Sequence, residues 1–240
     1  MRKKHTKHEI LEGFIAPASL DSANVVRALT HSSYCAEQKG DLACEDNQRL
    51  EFLGDAILQW LSSDYLFRNF PSLGEGWMTQ RRSVLVSRDA LYRLALTVGV
   101  PSALRLGRSE EKDGGRHRLS TISDAMEALV GAIYLEIGAE NIRRWAEREL
   151  HDFWARRIEL ANLANPKGKL QELLQEQGAG LPLYEVVSVS GPDHARKFEV
   201  RVVSQGSDLG RGWGSSKKEA EVEAARVALE SFARSASKVP

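Results

Sequence analysis

The sequence predicts an all-α domain followed by a small α+β domain with the order α-β-β-β-α. Apolar residues recur at helical spacing from about residue 8 to residue 155, which predicts a series of amphipathic helices. A short polar stretch with proline and glycine then interrupts the pattern, as linkers do. Beyond it, segments that alternate apolar and polar residues predict strands between two helices. We therefore place the helical domain at residues 1–161, a linker at 162–168 and the α+β domain at 169–235.

Two helices of the first domain have the strongest pattern. Apolar residues three and four apart predict one helix around Leu50–Leu61 and another around Ile122–Ile133. Polar stretches that contain glycine predict breaks at Phe70–Gly76 and Gly107–Gly115. A charged helix is predicted to resume at Ile142–Leu160.

The second domain is predicted to begin with a short helix, Leu170–Gln177, which ends before Gly178. The last helix, Ser216–Ala233, opens with a Ser-x-x-Glu capping box, a typical start signal for a helix. Three predicted strands lie between these helices, at residues 184–190, 198–203 and 208–214.

No feature of the sequence predicts secretion or membrane insertion. No apolar run approaches the roughly 18 residues that span a bilayer, and Met1–Pro17 lacks the apolar block of a signal peptide. Cys35 and Cys44 are too few for a disulfide framework and fit no metal-ligand spacing, so we expect reduced thiols that serve mainly in packing. We therefore expect a cytoplasmic protein with no membrane partner.

The charge balance excludes a nucleic-acid binder that works through bulk charge. The chain has 33 Lys and Arg against 33 Asp and Glu, which gives a net charge of zero. Any binding of RNA must therefore depend on a few cations placed to face phosphates.

Four carboxylates form the main candidate site. Glu51 and Asp55 are four residues apart, and Asp124 and Glu127 are three apart, so each pair lies on one face of its predicted helix. Two helices that direct such pairs at a common point would form a hard-oxygen site suited to Mg²⁺. The alternative is that the acids belong to solvated helix faces.

Two glycines argue against a merely solvated face. Gly54 and Gly131 lie inside helical patterns, where glycine costs about 1 kcal/mol relative to alanine. This cost is tolerable where the backbone must come close to another helix. The apolar neighbours of Asp55, including Leu53 and Ile57, also indicate embedded acids.

Several blocks of the sequence resemble the bacterial ribonuclease III family. Asn47–Asp55 resembles the signature motif of that family, and Ala28–Tyr34 resembles a block upstream of it. Gly114–Arg116 and Ser123–Leu135 resemble the second catalytic block. The similarity extends over nearly the whole chain in the same order. One departure is Gln48, where the family usually has glutamate.

The resemblance implies roles for these residues. Glu51, Asp55, Asp124 and Glu127 match the metal-binding acids of the family, with Mg²⁺ as the ion and Mn²⁺ as a substitute. Asp55 and Glu127 match the two acids that act most directly in catalysis. The family is a homodimer, and Phe52 matches an aromatic residue that enters a pocket of the partner subunit; the alternative for Phe52 is a place in the core.

The last part of the chain, from about residue 165 to residue 232, resembles a double-stranded RNA-binding domain. Lys217 and Lys218 lie at the start of the last helix, where lysines, free N–H groups and the helix dipole can converge on phosphate. Trp213 stands near a position where the family has a less bulky residue. By resemblance, the residues that contact RNA are Gln171, Gln175, His194, Lys217 and Lys218.

The function implied is that of a double-strand-specific endoribonuclease. Its Mg²⁺-dependent hydrolysis is expected to give 5′-phosphate and 3′-hydroxyl ends, and its expected substrates are ribosomal RNA precursors and some messenger and transfer RNAs. Two alternatives stay open. One is a non-cleaving double-stranded RNA-binding protein, for which Gln48 is the only support. The other is a helical scaffold whose acids are a solvated surface.

Overall fold

The computed structural model describes residues 14–15, 21–38, 44–192 and 195–236, and all structural statements concern these residues. They divide into two compact units. The first contains the described residues up to Asn69 together with Met78–Arg157, and the second contains Phe70–Trp77 together with the described residues from Ile158 onward.

The predicted helical part is helical in the structure. Its elements are α1 (Ala23–Ala28), α2 (Ser32–Glu37), α3 (Gln48–Asn69), α4 (Glu75–Leu85), α5 (Arg88–Thr97), α6 (Val100–Ala103), α7 (Arg108–Lys112), α8 (Leu119–Ile137), α9 (Ala139–Glu149) and α10 (His151–Ala164). The predicted break at Phe70–Gly76 matches the gap between α3 and α4, whereas the predicted break at Gly107–Gly115 contains α7 and the start of a 3-10 turn. The predicted charged helix is two helices, since α9 ends at Glu149 and α10 begins at His151.

Helix α8 is the centre of the first unit. Its residues Ile122, Met126, Leu129 and Val130 have no exposed surface. Helices α3, α5 and α1 pack around it, and α3 makes the most extensive of these contacts. Most of the apolar residues that predicted α3 and α8 are buried, although Trp60 is exposed, and the contact between α3 and α8 fixes the two helices that carry the four candidate acids.

Gly54 and Gly131 lie where the backbones of α3 and α8 touch. A Cβ added to Gly54 would be 1.8 Å from the main-chain oxygen of Glu127. A Cβ added to Gly131 would be 2.4 Å from the main-chain oxygen of Leu50. No side chain larger than hydrogen fits at either position, which confirms the prediction that these glycines allow two helices to approach closely.

The prediction of two reduced thiols is wrong. Cys35 and Cys44 form a disulfide with an S–S distance of 2.05 Å. The reason is proximity: Cys35 in α2 and Cys44, shortly before α3, have Cα atoms 5.2 Å apart, a separation that a disulfide can bridge. Counting cysteines in the sequence could not reveal this approach.

The second unit contains the predicted α+β fold. Its elements are α11 (Pro166–Glu176), β1 (Leu183–Ser190), β2 (Lys197–Ser204), β3 (Ser207–Gly214) and α12 (Lys217–Ala236). The strands form one antiparallel sheet in the order β1-β2-β3. Helices α11 and α12 cover one face of this sheet around a small core that includes Leu170, Val200, Val202 and Ala224. The predicted fold class is therefore confirmed.

The ends of the helices in this unit are fixed by side chains. The predicted linker, residues 162–168, contains the end of α10 and the start of α11, where the Asn165 side chain accepts a hydrogen bond from the backbone N–H of Gly168. At α12 the backbone N–H of Glu219 donates to Ser216 Oγ over 3.2 Å, and the Glu219 carboxylate accepts from the backbone N–H of Ser215 over 2.8 Å. These bonds satisfy N–H groups that a helix start leaves without partners.

Within the described part of the chain, no helix combines the length and the apolar character that crossing a bilayer requires.

Candidate active site

Helices α3 and α8 bring three carboxylates to one point. Oxygen atoms of Glu51, Asp124 and Glu127 lie within 4.8 Å of one another, and each of these residues is half-buried. Asp55 lies one turn beyond Glu51 on α3, where it is exposed, and it is not part of this 4.8 Å cluster. The structure therefore brings three of the four candidate acids together and leaves the fourth at their edge.

The crowding of these acids changes their ionisation. Burial, followed by the negative charges of Asp55, Asp124 and Glu51, raises the pKa of Glu127 to about 8. Burial also raises the pKa of Glu51 and of Asp124, and the charge of Asp124 adds to the effect on Glu51. Asp55 acts on Glu127 more strongly than either acid of the cluster does, so its charge belongs to the same site.

Two basic residues that the sequence analysis did not assign also act on the site. The positive charge of Arg88, the first residue of α5, opposes the rise in pKa of all three clustered acids. His31 has a similar but smaller effect on Asp124. Neither role has a signal in the sequence, because both residues reach the acids only through the packing of separate helices.

The donor set fits a divalent cation. Hard cations such as Mg²⁺ prefer carboxylate oxygens, and the three clustered side chains offer only such atoms. Without a cation, several carboxylates at one point repel one another and lose hydration, which is the cause of the raised pKa of Glu127. The residues present therefore suit a metal that neutralises their charge.

This arrangement predicts that the metal-free protein becomes less stable between about pH 5 and pH 8. In that range folded Glu127 keeps a proton that the unfolded chain releases, so stability is lost as the pH rises toward the folded-state pKa of about 8. Carboxylates with a lowered pKa, such as Asp89 and Glu223, make stability depend on pH only on the acid side of this range. We expect thermal unfolding in chelator to show a falling Tm with rising pH, and Glu127→Gln to flatten that fall. A slope unchanged in this variant would contradict the assignment.

Gln48 lies outside the cluster. It is the exposed first residue of α3, and its backbone N–H donates to Asp46 Oδ1 over 3.2 Å. The amide at this position therefore removes no oxygen from the cluster of Glu51, Asp124 and Glu127.

The other candidate residues are found on the surfaces of their units. Phe52 lies on α3 with 82% of its surface exposed, so it is not a core residue. Gln171 and Gln175 are exposed one turn apart on α11, and Lys217 and Lys218 are exposed in the first turn of α12. The prediction for His194 lies outside the described residues.

Comparison with known proteins gives two family matches. Residues 21–152 match a family described as ribonuclease-III-like, and residues 166–231 match the double-stranded RNA binding motif. Among curated proteins, the chain is 38% identical to Ribonuclease 3 of Geobacillus kaustophilus, over 96% of this chain and 93% of that protein. It is 40% identical to Ribonuclease 3 of Pelotomaculum thermopropionicum, over 93% of this chain and 92% of that protein.

Solved structures give the same result for the first unit. The chain is similar to two structures of the nuclease domain of ribonuclease III from Campylobacter jejuni. One is 34% identical with a TM-score of 0.51, and the match covers 60% of this chain and 96% of that chain. That structure shows flexibility in a region involved in dimer formation of the nuclease domain. The other is 32% identical with a TM-score of 0.52 and covers 63% of this chain and 96% of that chain.

Proposed function

Since this chain belongs to the ribonuclease III family and is an endoribonuclease specific for double-stranded RNA, we propose that it hydrolyses both strands of an RNA duplex with Mg²⁺ as its cofactor. The products are proposed to carry 5′-phosphate and 3′-hydroxyl ends. The observation that carries this proposal is the cluster of Glu51, Asp124 and Glu127 within 4.8 Å on two helices that contact each other directly. The double-stranded RNA-binding motif supports an RNA duplex as the substrate.

We assign separate roles to the four acids. Glu51, Asp124 and Glu127 hold the divalent ion, and exposed Asp55 supplies a further carboxylate at its open side. When bound, Mg²⁺ supplies a water of lowered pKa and stabilises negative charge on the leaving oxygen. Because the acids are fixed on two packed helices, they would hold and orient the divalent ion without rearranging during the reaction. Asp55 and Glu127 are proposed to act most directly in catalysis, and the effect of the Asp55 charge on the pKa of Glu127 supports their pairing.

We propose that the second unit binds the duplex through α11 and the start of α12. Gln171 and Gln175 are exposed on one face of α11, as contacts to a minor groove require. Lys217 and Lys218 are exposed at the helix start, where their charges add to the positive end of the helix dipole and can face phosphates. His194, which lies between β1 and β2 in the sequence and outside the described residues, stays a proposed contact.

A homodimer is the proposed assembly, with Phe52 at its interface. An aromatic side chain that is 82% exposed is unusual on a soluble protein, and exposed Trp60 and Ala56 extend the apolar surface along the same side of α3. Aromatic residues that anchor interfaces often contribute a large share of the binding energy.

We predict that Phe52→Ala weakens the dimer by about 30-fold or more, the loss typical of an aromatic interface anchor. Sedimentation equilibrium or light scattering over a dilution series measures this change directly. Leu135→Ala, which removes an exposed apolar side chain from α8, is the matched control and should leave the assembly unchanged. A Phe52→Ala protein with an unaltered dimer constant would remove this residue from the interface.

We propose ribosomal RNA precursors and some messenger and transfer RNAs as substrates, in the cytoplasm. These proposals are supported by family membership and not by any feature of the described residues.

The test of the proposed function is a cleavage assay on an RNA duplex longer than the roughly 16 bp that one RNA-binding domain spans. With Mg²⁺, both strands should be cut to give short 3′ overhangs and 5′-phosphate ends, and with chelator neither strand should be cut. Binding without cleavage in both conditions would instead support the non-cleaving RNA-binding protein, whose one favourable observation is the uncharged Gln48.

A further inference from the structure

The glycines on either side of Trp213 show that its side chain points away from the helices of the second unit. A Cβ added to Gly210, Gly212 or Gly214 would lie within 3 Å of α12, so these glycines occupy the face of β3 that α12 covers. Side chains alternate between the two faces of a strand, so Trp213 points to the opposite, open face of the sheet. Its side chain is 60% exposed there, although a large aromatic ring normally gains by burial.

Positive charge accompanies this ring on the same face. Lys197 starts β2 and lies diagonally across from Trp213, since Trp213 pairs directly with Glu199. Lys197 is exposed and makes no ion pair with any residue that the structure describes. Glu199 lies 3.5 Å from Arg211, which also pairs with Asp208 at 3.1 Å, and accepts a hydrogen bond from Ser188 over 2.9 Å. A cavity of about 420 Å³ opens at this point and is lined by Ala195, Arg196, Lys197, Trp213, Gly214 and Ser215.

The position of this cavity connects it to RNA. Register pairs Phe198 with Gly214, so the start of β2 and the end of β3 lie at the same end of the sheet. The start of α12, a proposed RNA contact, follows the end of β3 and is at that end too. A strand that leaves a bound duplex at this end would therefore meet the cavity.

We propose that this cavity binds an unpaired nucleotide of a single-stranded segment next to the duplex, with its base stacked on Trp213 and its phosphate held by Lys197. The inference rests on the proposed function, because it requires a bound RNA duplex. An aromatic face beside a cation such as Lys197 is the combination by which proteins hold single-stranded RNA, since every base can stack and every nucleotide carries a phosphate. The site therefore favours duplexes with overhangs, bulges or flanking strands over blunt duplexes.

The experiment measures the dissociation constants of the full chain in chelator for two RNAs, so that neither RNA is cut. One is a blunt duplex longer than roughly 16 bp, and the other is the same duplex with a short single-stranded 3′ extension. In the unaltered protein, the extension should tighten binding by roughly 5- to 100-fold, the range that stacking of one base supports. Trp213→Ala should abolish this gain and leave binding of the blunt duplex unchanged, whereas Trp213→Phe should keep most of the gain.

The controls separate this inference from the proposed function. Lys217→Ala combined with Lys218→Ala should weaken both RNAs by the same factor, because these lysines are proposed to hold the duplex. Equal binding of the two RNAs by the unaltered protein, or equal weakening of both by Trp213→Ala, would overturn the inference and leave the nuclease function intact. Failure to bind even the blunt duplex would overturn the proposed function as well.

Discussion

Glu127→Gln is expected to lower duplex cleavage in Mg²⁺ by roughly 100- to 1000-fold, the scale seen when a preorganised electrostatic group is removed from an active site. Glutamine keeps the size and the hydrogen-bonding oxygen of glutamate but has no negative charge. Glu127 is the most strongly perturbed acid of the cluster, since burial and three neighbouring carboxylates raise its pKa to about 8. Its neutral replacement should therefore lose the ion and keep the fold.

Two further measurements make this prediction specific. Binding of the duplex in chelator should be unchanged, because no proposed RNA contact is altered, and the Tm of the metal-free protein near pH 8 should rise as repulsion is relieved. Glu136→Gln is the matched control, since Glu136 lies on the same helix, is exposed and hydrogen-bonds Asn24 over 2.8 Å. Full activity of Glu127→Gln would exclude Glu127 from the metal site.

Gly54→Ala is expected to destabilise the first unit by about 3 kcal/mol or more and to abolish cleavage. The added methyl group would lie 1.8 Å from the main-chain oxygen of Glu127, and main chain cannot move aside as a flexible side chain can. Helices α3 and α8 would have to separate, which would spread the acids that they carry. For a domain of this size, the Tm should fall by roughly 6–12 °C.

Gly76→Ala provides the matched control for this prediction. Gly76 is also a helical glycine, in α4, but a Cβ added there meets no atom within 4 Å. Alanine should be neutral or slightly stabilising at this position, because it restricts the unfolded chain and fits the helix. Thermal unfolding and duplex cleavage compare the two variants. If Gly54→Ala behaved like Gly76→Ala, the close contact of α3 and α8 would be refuted.

Local patterns predicted much of this molecule. The fold class, the two central helices and the first two strands follow from apolar periodicity, because each pattern reports the face that its own element buries. Gly54 was informative for a similar reason, since a glycine that weakens a helix needs a compensating contact. The acids could be grouped in pairs by their spacing, and only the family resemblance joined the pairs.

What the sequence did not predict depends on contacts between distant segments. The bond between Cys35 and Cys44 requires the end of one short helix to meet the residues before the next. Asp55 lies outside the 4.8 Å cluster, although its spacing from Glu51 predicts that both acids share one face of α3. The effect of Arg88 on the acids arises from the packing of α5 against α8. None of these contacts leaves a periodic signal along the chain.

Glu51 and Phe52 are consecutive residues on α3, so their side chains leave the helix about 100° apart. One turn of α3 therefore carries a proposed ligand of the metal ion and the proposed anchor for a second subunit. In the proposed dimer, the subunit that covers Phe52 would also restrain the helical turn that carries Glu51. Dilution of the protein is therefore expected to lower the cleavage rate per molecule if this dimer forms.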